Sequence, residues 1–405
     1  MSGLNAEKLL SQLRRLGATG RDAEGRLSRL AASDADKAGR DLLCGWLSEA
    51  GLRVEVDRIG NIHGIWHPEG ARGAPVMMGS HIDTVIDAGI YDGCYGVLAG
   101  LAVIEALMTE GARPSRPLAV VAFTNEEGVR YAPDMMGSLV CAGGLDIDAA
   151  LATIGTDGTA LGTELARIGY AGPRAPGFLT PHAFLELHVE QGPVLEAEGI
   201  ALGAVENLQG ISWQEVTLGG IANHAGTTPM RLRRDAGVAA AQVIAGLDRM
   251  ARETPGAVAT VGTITFEPHA INVIPSRAVF TVDLRNPDET RLQEQEAALS
   301  EMLDALEDQG FGVETRRLAR FEPVTFDAGI VSGIEEIAAA GGISCRRMTS
   351  GAGHDAQMMA RVAPAAMIFV PSRGGISHNP AEFTDDHHLV TGAEVLLDLA
   401  RSLAQ

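Results

Sequence analysis

Polar groups able to hold a divalent cation sit just beyond apolar runs at several places in this sequence. His81 and Asp83 follow PVMMGS, Glu126 and Glu127 follow LAVVAFTN, His188 lies in FLELHVEQG, and His378 follows MIFVPSRGGIS. Asp92, in the loop IYDG before a helix-like stretch, belongs to the same group. Histidine and carboxylate without cysteine suit borderline divalent ions such as zinc, manganese, cobalt or nickel. Neighbouring strand residues point apart, so Glu126 and Glu127 are not expected to chelate one ion together. One of the two can bind metal while the other handles protons. A carboxylate such as Asp92 can bridge two ions, and Asp83 can accept the second N–H of the His81 ring and fix its orientation. Isolated histidines carry no such context, and His63, His67, His182, His269, His387 and His388 are read as ordinary core or surface residues.

The elements that must position these groups follow from hydrophobic patterning. Four apolar runs, Pro75 to Gly79, Leu118 to Thr124, Phe184 to Val189 and Ala365 to Val370, read as buried strands. A helical run from Val97 to Met108 separates the first two, which predicts a parallel, helix-covered sheet with its ligands at the carboxyl ends of the strands. An earlier helix begins at Ser33, where Ser33 and Asp36 have capping-box spacing. The middle of the chain changes rhythm. Ile211 to Leu218, Ala257 to Phe266, Arg277 to Leu284 and Val313 to Arg320 read as strands, and Asp235 to Arg252 and Asp288 to Gln309 as helices. That order, β-α-β-β-α-β, is the ferredoxin-like pattern. Residues 157–181 read as a connecting segment with one helical turn.

Composition limits the partners. The 405 residues, 46% hydrophobic and 21% charged, predict a globular protein of two domains. A net charge of −20 opposes binding to nucleic acid or anionic membranes and favours a small-molecule substrate. Cys44, Cys94, Cys141 and Cys345 are scattered, with no metal-binding pair and no disulfide framework. The N-terminal stretch MSGLNAEKLLSQLRRLGATG lacks a leader-like apolar core, and the expected location is cytoplasmic.

At these residues the sequence resembles the M20-type metallopeptidase and amidohydrolase superfamily, within it the hydantoinase/carbamoylase branch. The stretches that carry the resemblance are GSHIDTV, YDGCYGVLAGL, FTNEEGVRYAP, LELHVEQGPVLE, ANHAGTTPM, INVIPSRAVFTVDLR, SGAGHDA and GISHNPAEFT, in order along most of the chain. The resemblance implies that His81, Asp92 and His188 hold one of two divalent metal ions and that Asp92, Glu127 and His378 hold the other, with Glu126 as the general base. It implies substrate contacts from Gln191, His224, Asn272, Arg285 and the backbone of Gly351 to Gly353, with part of that set supplied by a partner subunit or by domain closure. His188 stands where peptidases of the superfamily usually carry a carboxylate, which argues against peptide cleavage. His354 and Asp355 receive no role.

The expected architecture is an α/β chain. A discontinuous catalytic domain with a helix-covered, mostly parallel sheet spans 1–208 and 322–405, and an inserted ferredoxin-like α+β lid and dimerisation domain spans 209–321. The expected activity is binuclear hydrolysis of a small N-carbamoyl amino acid, a carboxylate substrate, with His224 helping to polarise the ureido carbonyl. Allantoate and N-carbamoyl-β-alanine are the alternative substrates. A homodimer is expected. The rival reading is a non-catalytic metal-dependent binding protein, which would be expected to lack a ligand or the base.

Overall fold

Strands buried at every residue need cover on both faces, and four such strands, largely apolar, form the centre of the larger sheet. The computed structural model describes residues 3–405; Met1 and Ser2 of the N-terminal stretch lie outside the described residues. In chain order the strands are β1 (Arg53–Val56), β2 (Ile62–Trp66), β3 (Val76–His81), β4 (Leu118–Phe123), β5 (Ala183–Val189), β6 (Leu202–Leu208), β7 (Gly210–Gly219), β8 (Val258–Thr260), β9 (Ile264–Glu267), β10 (Arg277–Asn286), β11 (Gly312–Phe321), β12 (Val324–Thr325), β13 (Cys345–Ser350) and β14 (Ala365–Val370). The chain divides into two compact units. Among the described residues, one comprises 3–206 and 326–405, the other 207–325.

In the first unit the strands run in the order β1-β2-β4-β3-β5-β14-β6, with β13 beside β6. β4, β3, β5 and β14 are parallel, and antiparallel neighbours close both sides. Register places His81 opposite Phe123 and His188 opposite Phe369, so the polar groups emerge at the carboxyl ends of adjacent strands. The helix Cys94–Thr109 packs on β3 and is apolar nearly all round, as a helix enclosed by sheet and other helices must be. No helix among the described residues is long and apolar enough to cross a membrane.

The second unit is an antiparallel sheet in the order β11-β7-β10-β8, with β9 also on β10. Burial alternates along β10: Ala278, Phe280, Val282 and Leu284 are buried with Val216 and Leu218 against Leu292, Leu299, Leu303 and Leu306 of the helix Glu289–Asp308. Ala239, Ala240, Val243 and Leu247 of the helix Ala236–Glu253 complete that core. Asp235 and Asp288 cap the two helices by accepting backbone N–H bonds.

Several elements differ from the sequence expectation. The stretch expected as one strand from Ala257 to Phe266 is two, β8 and β9, because the edge strand bulges opposite Thr281, whose Oγ1 accepts the Thr263 N–H at 3.3 Å. β1, β2, β6 and β13 were not expected, being short or mixed in polarity. Residues 157–181 contain a two-turn helix, Leu161–Ile168, ended by Gly169.

Ser33 Oγ accepts the Asp36 N–H, but Asp36 does not return the bond to Ser33. Its carboxylate accepts from Ala32 N at 2.8 Å and from Arg40 Nε at 2.7 Å. Arg40 in turn donates to Gly60 O and to Thr124 Oγ1, which ties this helix to the end of β4. Both members of the pair are fully buried. Removing one charge from a buried pair strands the other in a low-dielectric interior. Asp36→Ala is therefore expected to lower unfolding free energy by about 3–5 kcal/mol, measured by urea titration, with partial recovery when Arg40→Met is added.

Candidate metal centre

The carboxyl ends of β3 and β5 and the loops after β3, β4 and β14 carry the donor groups of the first unit, and Asp92 is common to them. Its Oδ1 lies 3.1 Å from His188 Nε2 and 3.7 Å from His81 Nε2; its Oδ2 lies 3.2 Å from His378 Nε2. Glu127 Oε2 is 3.5 Å from the same His378 nitrogen. Two donor sets result, His81–Asp92–His188 and Asp92–Glu127–His378, each with its ligand atoms within 4.8 Å of one another. Two donors about 2.1 Å from a tetrahedral ion stand about 3.4 Å apart, so these separations fit donors that share an ion. Among the described residues the ion-pair partners of Asp92, Glu126 and Glu127 are all histidines. Three carboxylates gathered without Lys or Arg suit a divalent cation. A third cluster, Glu186–His188–His354, is fully buried, but the Glu186 oxygens already accept from Ser80 Oγ and Ala356 N.

Backbone geometry orients the rings. His81 Nδ1 lies 2.9 Å from the carbonyl of Asp83 and His188 Nδ1 lies 2.8 Å from that of Val189, so each ring donates from Nδ1 and turns Nε2 toward Asp92. This corrects the expected role of Asp83. Its carboxylate stays 3.9 Å from the ring and instead accepts the N–H groups of Glu126 at 3.2 Å and Glu127 at 3.3 Å, because the chain turns beyond β3 and faces the end of β4. Asp83 thus positions the glutamates rather than the histidine.

The electrostatics follow from burial and crowding. Burial drives the Glu126 carboxyl well above its ordinary range, with Asp355, Glu127 and Asp92 adding to the rise. Glu127 is raised by burial and by Asp92. Burial lowers His81 to about 4. Burial also opposes charge on His188, yet the hydrogen bond and charge of Asp92 outweigh it and raise that ring to about 9. Burial raises Asp83 to about 7.

A cavity of about 140 Å³ opens on these groups, lined by Asp92, Glu126, Glu127, Asp134, Gln191, Ala352, Gly353, His354 and His378. Gln191 donates its amide to Asp92 Oδ2 and Ser377 Oγ, leaving its buried Oε1 without a partner. Gly351 lies two residues before Gly353 in the same loop after β13. The remaining expected contacts belong to the second unit. His224 Nδ1 accepts from Gly226 and Thr227 N–H, and Asn272 is its neighbour through the carbonyl that accepts the Ala225 N–H. Arg285 is not an unengaged guanidinium: Nε and Nη2 meet the Asp283 carboxylate at 2.9 to 3.1 Å, since residues two apart on a strand share a face. Glu382 lies within GISHNPAEFT and Asp134 just beyond FTNEEGVRYAP, and neither received a role from the sequence. Glu382 was findable as the one acid between His378 and the acidic run that starts at Asp385.

The fold and the matching residues define the class. The chain belongs to the peptidase family M20/M25/M40, whose sequence pattern matches residues 77–402. It is 39% identical to an N-carbamoyl-L-amino-acid amidohydrolase of Rhizobium meliloti over 99% of this chain and 97% of that one. It is 37% identical to an allantoate amidohydrolase of Bacillus subtilis over 88% of each chain. The crystal structure of an amidase of the hydantoinase/carbamoylase family from Burkholderia multivorans superposes with a TM-score of 0.96 at 42% identity, covering 99% of this chain and 98% of the other.

Gly93 permits the approach of Asp92 to His81. Its φ is +64°, and a Cβ there would stand about 2.4 Å from the His81 ring. Gly93→Ala is expected to keep the fold but weaken metal binding about 10- to 100-fold, read as metal per chain by elemental analysis after dialysis.

Proposed function

We propose that the chain is a two-metal amidohydrolase that cleaves the ureido C–N bond of a small N-carbamoyl amino acid, giving the amino acid, carbon dioxide and ammonia. The observation that carries this reading is the buried Glu126 carboxylate beside two donor sets that share Asp92. His81, Asp92 and His188 would hold one divalent ion, and Asp92, Glu127 and His378 the other; zinc, manganese, cobalt and nickel all suit these donors. When bound, such a pair polarises a carbonyl and makes a water acidic near neutral pH.

The rest is the work of this chain's own residues. Glu126, held by Asp83 through its backbone, takes the proton of the attacking water and returns it to the departing nitrogen. The carbamate left after loss of ammonia breaks down to carbon dioxide and the amino acid. Gln191 Oε1, an unsatisfied acceptor at the cavity, can receive a substrate N–H, and the Gly351 to Gly353 backbone offers further contacts. The proposal keeps His224, Asn272 and Arg285 as substrate contacts on the resemblance of their motifs, with Arg285 suited to a carboxylate.

Allantoate is the second reading, favoured by the likeness to an allantoate amidohydrolase. N-carbamoyl-β-alanine would use the same machinery. We further assign residues 209–321 as a ferredoxin-like lid and dimerisation domain, supported by the exposed apolar side chains of Met230, Leu232 and Ile271. The free cysteines fit a cytoplasmic protein.

Ammonia release from N-carbamoyl-L-amino acids, N-carbamoyl-β-alanine and allantoate, with manganese supplied, tests the substrate class. Chelation is expected to abolish turnover. Glu126→Gln is expected to lose most kcat, on the order of 100-fold or more, with metal content intact, whereas Glu127→Gln and His378→Ala lose one ion. Equal metal loss in Glu126→Gln would contradict its role as base. Sedimentation should give a dimer; a fully active monomer refutes that assignment.

A further inference from the structure

Glu382 is buried four residues beyond His378, in the segment SHNPAEFT. Its carboxylate reaches back across the chain to the loop that carries Asp92. Oε1 accepts the N–H of Tyr91 at 3.0 Å and that of Asp92 itself at 3.2 Å. Oε2 accepts the hydroxyl of Ser377, next to His378, at 2.9 Å. Ser377 Oγ in turn accepts the Gln191 amide at 3.2 Å, and the same amide nitrogen donates to Asp92 Oδ2 at 2.9 Å. The contacts close a ring that grips Asp92 at both ends, its backbone directly and its carboxylate through Ser377 and Gln191.

Two features show that the chain is shaped around this contact. At Gly89 any Cβ would fall about 2.4 to 2.6 Å from Glu382 atoms, so the loop can lie against the carboxylate only with glycine there. His378 has φ +52°, a left-handed conformation that strains a non-glycine residue and persists only where its surroundings impose it. The turn that imposes it is closed by the Glu382 N–H on Asn379 O and by the Ser377–Glu382 bond.

We propose that Glu382 is a positioning residue for the metal pair: it sets the separation between Asp92 and His378, and so whether one carboxylate can serve both ions. The proposal rests on the two-metal reading above. A charge-assisted clamp on two backbone N–H groups is rigid where a ligand alone is not, and partners of this kind commonly change metal affinity by about 10- to 100-fold.

The test is cobalt(II) titrated into the metal-free full chain, followed by its visible d–d bands and by equilibrium dialysis, with thermal melting as the control for folding. Glu382→Gln keeps one oxygen for the two N–H groups but cannot accept from Ser377. It is expected to melt near the wild type, bind the second cobalt about 10-fold more weakly and show altered bands. Glu382→Ala is expected to lose more, toward 100-fold. Wild-type cobalt affinity and spectrum in a folded Glu382→Ala overturn the proposal; if that variant does not fold, the same result in Glu382→Gln overturns it. No substrate is present, so a mistaken substrate class leaves this outcome untouched. A wild-type chain that takes up no cobalt would instead refute the two-metal reading, and the role of Glu382 with it.

Discussion

Three carboxylates, Asp92, Glu126 and Glu127, are brought together at one end of a sheet with histidines as their ion-pair partners, and most of the first unit can be understood as the means of keeping them there. Like charges in a low-dielectric setting repel strongly: the buried Glu126 and Glu127 resist ionisation, while at Asp92 burial is outweighed by the hydrogen bonds to His188 and His378, which favour the charged form. The surrounding protein offers histidines, backbone N–H groups and donor atoms spaced for divalent ions. Such a cluster suits divalent cations.

The means of holding these groups are mostly main-chain. Asp83 grips the N–H groups of Glu126 and Glu127, Glu382 grips those of Tyr91 and Asp92, and backbone carbonyls fix the two buried imidazoles. Arginines are present but stand behind the site. Arg40 joins the Asp36 helix to Thr124, and the buried Arg29 donates to carbonyls of Ile82, Leu16 and Thr19, bracing the loop after His81. Placed there they support the loops without neutralising the carboxylates that a metal needs.

The second unit obeys a simpler constraint. One face of its antiparallel sheet is apolar and covered by two helices, while Trp213 and Leu318 on other strand positions remain partly exposed. Arg285 illustrates the limit of a periodic reading. Alternation along β10 places it away from the core, as its pattern indicates, but only the folded strand shows that Asp283 already engages its guanidinium.

The clustered histidines and carboxylates and the strands that deliver them were legible in the amino-acid order, because an apolar run followed by His or Glu encodes both a buried strand and a polar group at its end. The starts of the second unit's two helices, expected at Asp235 and Asp288 and capped by those residues, were legible for the same reason: they depend on neighbours within a few residues. Short strands of mixed polarity, such as β1, β2 and β6, were not, since pairing rather than pattern stabilises them. Nor was the use made of Asp83, whose carboxylate could face either the ring two residues back or the amides 43 and 44 residues ahead. Glu382 is the clearest case. Its partners Tyr91 and Asp92 lie 291 and 290 residues away, and a contact across that distance exists only once the strands have brought the two loops to the same edge.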